Sequence, residues 1–217
     1  LPVPVDAGLI PDLERLEAAI TPRTRAIVTV SPNNPSGVVI PQGVLAGINA
    51  LCARRGLFHI SDEAYGAFVY GDEPHWSPGS APGSSAHTIS LHSLSKAYGM
   101  AGWRVGYMAA PEQLTAALAK VQDTVLICPP VPIQRAAAAA LQAGPAWVAP
   151  RVGALADRRR QLLAALAEHQ AKGLPVRLLT EPDGAFYALL QITPGRGPLD
   201  ADTLMRRLVL EHRVAAV

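Results

Sequence analysis

Lysine is scarce in this chain. Of its 19 basic residues only Lys96, Lys120 and Lys172 are lysines, and arginine supplies the rest. A solvated surface accepts either cation, but a site that works through a deprotonatable amine cannot use arginine, whose guanidinium stays charged. Cysteine is equally sparse. Cys52 and Cys128 lack the spacing of a metal site or a disulfide framework, and both have apolar neighbours. They are expected to be reduced core thiols of a cytoplasmic protein. Charge of one sign is also lacking: a net charge of +2 leaves no nucleic-acid footprint. The one dense basic run, Arg158, Arg159 and Arg160, reads as the solvated face of a helix. No apolar run is long enough to cross a bilayer, and the first residues lack the basic and apolar regions of a signal peptide. The six histidines show no metal-like pairing. No metal is expected, and His59, on an apolar strand, reads as a hydrogen-bonded core residue.

What remains is enough for a substantial core: 217 residues, 49% hydrophobic, with a mean hydropathy of +0.19. That length fits one domain and part of another. Strand-like and helix-like patterns alternate, which predicts an α/β layer fold. Helices are expected over 11–20, 41–55 (stopped by Gly56), 111–127, 132–143, 145–170 and 201–212. Strands are expected over 25–30, 57–60, 87–91, 104–109, 176–179 and 185–192. The strands at 87–91 and 104–109 are too close for a helical crossover, so they must pair antiparallel or lie apart. Composition shifts near Ala143–Pro145, so residues 1–144 are expected to form a partial large domain. Residues 145–217 would then supply a bridging helix and part of a smaller α+β domain. Both ends fall in strand-like patterns, and the chain is expected to be interrupted there rather than finished.

The polar clusters fall just after strands. Ser31–Gly37 follows the first, Asp62 and Tyr65 the second, Ser93 and Lys96 the third. Ligands of open α/β sheets bind beyond the carboxyl ends of the strands. An antiparallel fourth strand would return Arg104 to that same edge. Lys96, between Ser93, Ser95 and Arg104, is an amine set beside hydroxyls and a guanidinium suited to phosphate, as pyridoxal phosphate chemistry requires. Taken alone, Lys96 would pass for a surface lysine, as Lys120 and Lys172 do. Asp62 suits a pyridine nitrogen that must stay protonated, or else caps a turn. Tyr65 and Asn34 suit a phenolic oxygen, or else pack in the core and form an Asx turn. Arg104 and Ser93 suit a phosphate, or else Arg104 makes a surface salt bridge. Asn34–Pro35 is a candidate cis peptide. Trp103, Phe186 and Tyr187 are expected in the core rather than facing a ligand.

Four segments in this order carry a resemblance: Ser31-Pro32-Asn33-Asn34-Pro35-Ser36-Gly37, Ser61-Asp62-Glu63-Ala64-Tyr65, Ser93-Leu94-Ser95-Lys96 with Gly102-Trp103-Arg104-Val105-Gly106-Tyr107, and Gly184-Ala185-Phe186-Tyr187. Together they resemble the class I and II aminotransferases, the fold-type I enzymes of pyridoxal phosphate. The resemblance implies a mostly parallel sheet sandwiched by helices. It also implies transfer of an amino group from an L-amino acid of aspartate, aromatic or neutral type to a 2-oxo acid. Lys96 would carry the cofactor's Schiff base and shuttle the proton, and Asp62 would pair with the pyridinium. Tyr65 and Asn34 would contact the ring oxygen. Ser93 and Arg104 would hold the phosphate, with Ser95 a weaker candidate. A cytoplasmic homodimer with small-molecule substrates is implied, with no membrane or nucleic-acid partner. Members of that family carry a phosphate loop and a ring-stacking aromatic ahead of the matched region. They also carry, beyond it, an arginine for the substrate α-carboxylate, and Arg213 lies too early to be that residue. The isolated polypeptide is expected to bind cofactor weakly and turn over little.

Two other function classes compete. Ser93-Leu94-Ser95-Lys96 also fits the S-x-x-K motif of serine acyl-transfer enzymes, but the companion S-D-N and K-T-G elements are missing. A β-lyase, a decarboxylase or a non-catalytic association module would keep much the same residues.

Overall fold

A computed structural model describes residues 2, 5–71, 74–192 and 200–216. The element order is α1 (Leu13–Ala18), β1 (Ala26–Val30), α2 (Gln42–Arg55), β2 (Phe58–Asp62), β3 (Thr88–Ser93), α3 (Leu94–Ala97), β4 (Gly106–Ala109), α4 (Thr115–Val125), α5 (Val131–Ala171), β5 (Val176–Leu178), β6 (Leu190–Ile192) and α6 (Ala201–His212). The main sheet runs β1-β2-β3-β4. Its first three strands are parallel, and β4 returns antiparallel with Ser93 opposite Gly106. β5 and β6 form a separate antiparallel pair. The fold class is therefore α/β with a mostly parallel sheet.

Local chemistry sets the element ends. Asp12 and Asp200 each cap a helix by accepting a backbone N–H, from Arg15 and Thr203. α2 ends where Gly56 turns left-handed at φ 64°, which glycine adopts without strain. Gly144, at φ 63° and ψ −161°, interrupts α5 directly before Pro145. The helices expected over 132–143 and 145–170 are thus two helices meeting at a kink.

One face of the sheet packs on α1 and α2 through Leu16, Ile27, Ile48, Leu51, Cys52 and Leu57. α5 contributes to two further clusters: Ala137 packs with Leu94 and Met100, and Val148 packs with Tyr65, Phe68, Ala97 and Ala185. Cys52 is fully buried, which pushes its thiol up to about 11 and leaves it inert. Cys128 departs from expectation. It is exposed, because the apolar residues before it, Val125 and Ile127, are themselves 75% and 70% exposed. Trp103 and Phe186 are also not core residues, at 47% and 41% exposed. The strand expected over 185–192 is shortened to β6, since Ala185 takes a left-handed φ of 55° that no strand tolerates. The first turn of the helix expected from Pro111 is 3-10 (Glu112–Leu114), and α4 follows it.

His59 is fully buried, as expected of a satisfied core histidine. Asn49 Nδ2 donates toward its Nδ1 (3.1 Å), so its Nε2–H donates to Thr29 Oγ1 (2.9 Å). Burial first, and the neighbouring His87 second, depress its pKa to about 4, while Glu63 acts weakly the other way. The unfolded chain, with an ordinary histidine, therefore takes up this proton at higher pH than the folded one. Stability is complete above pH ~6.5 and falls by about 3 kcal/mol on descent to pH ~4. Urea unfolding across that window should show the loss in the unaltered protein, and His59→Gln should flatten that part of the profile.

Candidate active site

The carboxyl ends of β1, β2 and β3 deliver three short polar segments to one edge. The first is held by Asn33, not Asn34. Asn33 Oδ1 accepts from Ser36 N (3.2 Å) and Ser36 Oγ (2.7 Å), and Ser31 Oγ accepts from Ile40 N (3.0 Å). The Asx turn weighed as the alternative role of Asn34 is thus made by Asn33, and the exposed Asn34 side chain lies beside Tyr65 instead. The Asn34–Pro35 peptide is cis, as expected, and so is Ser31–Pro32.

The segment 181–187 closes over this loop. Gly184 N donates to Gly37 O at 2.8 Å. A Cβ on Gly37, whose φ is +75°, would sit 2.4 Å from Pro182 Cβ. One on Gly184 would sit 2.7 Å from Pro32 Cβ and 2.8 Å from Phe68 O. Only glycine at both positions lets the two backbones approach this closely. Their approach brings Phe186 and Tyr187 onto Tyr65: the rings stand edge-to-face at 5.3 and 5.4 Å, and the two tyrosine hydroxyls are 2.6 Å apart.

Tyr65 is buried, at 6% exposure. Burial, then the bond to Tyr187, push its hydroxyl up to about 12, with the Asn34 side chain pulling the other way and Asp62 adding to the rise. Asn34, Asp62 and Tyr65 are therefore electrostatic neighbours, and Tyr65 keeps its proton at neutral pH. Asp62 Oδ1 accepts from Ala64 N at 3.0 Å, which is the turn-capping role weighed from the sequence. That bond occupies one carboxylate oxygen and leaves the other for a ligand.

Lys96 projects from the four-residue helix α3. Its Nζ lies 6.0 Å from the centre of the Tyr65 ring and 5.8 Å from that of Phe186. The amine thus faces aromatic rings, within cation–π range, rather than a carboxylate. Lys120 and Lys172 are plain surface lysines, the latter paired with Glu168. Ser93 caps α3, its Oγ accepting from Ser95 N at 3.2 Å. No hydrogen bond joins Ser93 to Lys96, which removes the nucleophile–base pair that an S-x-x-K reading needs.

Arg104 sits two residues before Gly106, the partner of Ser93 across β3 and β4, so the antiparallel return brings it to the expected edge. It adopts φ 53°, uncommon for a side-chain-bearing residue, and its Nη1 donates to Ala101 O at 3.0 Å. The exposed guanidinium and Ser93 are not bonded to each other. The site therefore has a tight half, with Tyr65 and Lys96 against Phe186, Tyr187 against Tyr65, and Asn34 and Asp62 beside Tyr65. Its looser half consists of Ser93 and Arg104. The sequence reading did not assign Phe186 and Tyr187 to the site; their signal was the Gly184-Ala185-Phe186-Tyr187 motif, whose glycine allows the approach.

The donor set fits pyridoxal phosphate. It contains an amine facing rings, a half-free carboxylate, a protonated phenol beside an amide, a hydroxyl at the end of β3 and a guanidinium just before β4. Among the described residues no group of histidine, cysteine and acidic side chains could hold a metal ion, and no helix is long and apolar enough to cross a membrane.

Comparison with known proteins points to the family that the four sequence segments resemble. The profile of the family described as aminotransferase class I and II matches residues 2–217. The aspartate/prephenate aminotransferase of Thermus thermophilus is 38% identical over 87% of this chain and 48% of its own length. The arginine–pyruvate transaminase of Pseudomonas aeruginosa is 37% identical over 100% of this chain and 54% of its own length. Among solved structures, the Thermus thermophilus aspartate aminotransferase with maleate superposes with a TM-score of 0.83 at 36% identity, covering 96% of this chain and 52% of that one. The chain spans about half the length of the curated relatives it matches.

Proposed function

Because the chain belongs to the class I and II aminotransferase family, we propose that the protein moves an amino group from an L-amino acid to a 2-oxo acid with pyridoxal phosphate held at Lys96. The observation that carries this reading is the Lys96 amine, held over the Tyr65 and Phe186 rings at the edge where Asp62 and Asn34 also lie. When bound, pyridoxal phosphate supplies the electron sink that makes loss of a Cα proton from an amino acid feasible. The protein's own groups do the rest. Lys96 Nζ would be the group that holds the cofactor, and its amine would carry the substrate Cα proton as a general base. Asp62 holds a proton on the ring nitrogen through a charge-assisted hydrogen bond. The Tyr65 hydroxyl, kept protonated chiefly by burial, and the Asn34 amide would be the donors to the ring oxygen, with Tyr187 giving up its hold on the Tyr65 proton. Ser93 and Arg104 hold the phosphate, with Ser95 nearby.

The same reading gives residues 1–144 to a cofactor-binding domain and 145–217 to a bridging helix and part of a smaller domain, with the kink at Gly144 between them. It also gives the protein a cytoplasmic location and a homodimeric state. The exposed apolar residues Val121, Val125, Leu126, Ile127 and Val131, at the join of α4 and α5, support a second copy as their cover. Aspartate and aromatic amino acids are the donors suggested by the relatives' names, and neutral ones are kept from the motif resemblance. The test is formation of 2-oxo acid from each donor, with 2-oxoglutarate as acceptor and added pyridoxal phosphate. Turnover with at least one donor is expected, slow for this polypeptide assayed by itself and measurable at saturating cofactor. No turnover with any donor, in protein that has bound the cofactor, would refute the assignment.

A further inference from the structure

Glu63 follows Asp62 directly, and the function proposed above makes no use of it. Its side chain is buried, at 2% exposure, where an apolar residue would pack at lower desolvation cost. Burial alone would raise its pKa, but bonds from His75 and Ser77 hold the carboxyl below its usual range. His75 Nε2 lies 3.0 Å from one oxygen, and Ser77 Oγ donates to the other at 2.8 Å. Ser77 Oγ is in turn 3.5 Å from Ser90 Oγ on β3. His75 Nδ1 has no partner among the described residues, so Nε2 is the ring's only anchor. The backbone of Glu63 is tied into the same place: its N–H donates to Leu91 O on β3, and its carbonyl accepts from Gly66 N. A Cβ on Gly66 would sit 2.9 Å from His75 Cδ2, so the loop bearing His75 and Ser77 lies directly against the turn that carries Tyr65. Glu63, His75 and Ser93 also line one cavity of about 210 Å³.

We propose that Glu63 is a positioning residue: through His75 and Ser77 it clamps the Asp62–Tyr65 turn to β3 and so sets the Asp62 carboxylate and Tyr65 hydroxyl relative to Lys96. This rests on the cofactor reading above. Beyond Asp62, which ends β2 with its carbonyl accepting from Ser31 N, the turn is non-repetitive backbone; besides the Leu91 bond and the Tyr65–Tyr187 hydroxyl contact, the Glu63 side chain is its polar link to the loop bearing His75 and Ser77. Losing that link lets two cofactor-facing groups drift while Lys96, on α3, stays in place.

The test uses the purified protein with pyridoxal phosphate, unaltered and as Glu63→Ala, Glu63→Gln and Ser77→Ala. Circular dichroism of the bound cofactor's visible band is read beside steady-state kinetics and urea unfolding. Glu63→Ala should diminish the dichroism and lower kcat about 10- to 100-fold, as a small misplacement of reacting groups does. KM should move less than about threefold. Glu63→Gln keeps the side-chain shape and an acceptor for Ser77, and should restore most of both signals. A Glu63→Ala protein with unaltered dichroism and kcat, however much less stable, overturns the proposal. Should that variant fail to fold, Ser77→Ala decides: a diminished band supports the clamp and an unaltered one overturns it. Absence of any visible band in the unaltered protein overturns the cofactor reading and this inference together. A normal band there with indifferent variants overturns this inference alone.

Discussion

Lys96→Ala is expected to lower transamination by at least about 10⁴-fold, because one substitution removes both the amine that attaches the cofactor and the base that moves the Cα proton. Lys96→Arg should do no better, since a guanidinium neither forms that bond nor gives up its proton near neutral pH. The fold should be indifferent. Lys96 is exposed, on a four-residue helix, with its amine over two rings, and the loss in unfolding free energy should stay within about 1 kcal/mol. Lys120→Ala and Lys172→Ala should be silent in the same assay. Steady-state rates, with urea unfolding of each variant, separate these outcomes. A Lys96→Ala protein with a tenth or more of the original activity would be incompatible with the assignment.

Asp62→Asn should have the next largest effect. The turn-capping bond from Ala64 N to Oδ1 survives, because asparagine keeps an oxygen at that position. What disappears is the negative charge that would hold a proton on the ring nitrogen. Removing one preorganised electrostatic partner typically costs about 10²- to 10³-fold in rate, and a fall of that size in kcat is expected, with weaker retention of cofactor on dilution. Stability should scarcely change, which distinguishes this variant from one that damages the turn. If Asp62→Asn kept both rate and cofactor, the carboxylate would be only a cap.

Most of the scaffold follows from local chemistry that a sequence displays. The Gly56 stop, the Asp200 cap and the apolar spacing of α2 and α6 are neighbour effects, so those helices were legible to within a residue or two. The antiparallel return of β4 followed from the shortness of its connection to β3, a constraint of covalent length. The placement of Lys96, Asp62 and Tyr65 at one edge followed from strand direction alone.

The missed features all depend on contacts between distant segments. Phe186 looked like core because it is aromatic, and nothing local says that Gly184 docks on Gly37 and presents the ring to Lys96. The apolar neighbours of Cys128 suggest burial, but that reading assumes a cover for Val125 and Ile127 which the described residues do not supply. Of two adjacent asparagines, which one forms the turn and which stays free was set by the Ser36 hydroxyl. The Glu63–His75 pair spans a loop with no repeating pattern, so no periodicity marks it.

Borohydride reduction of the protein mixed with pyridoxal phosphate, followed by peptide mapping, reports directly on which amine the cofactor occupies. A single phosphopyridoxyl adduct on the peptide containing Lys96, absent from Lys96→Ala, is the expected result. Stoichiometric labelling of Lys120 or Lys172 instead, or an unmodified Lys96 at saturating cofactor, would mean that the amine at the sheet edge is not the attachment point.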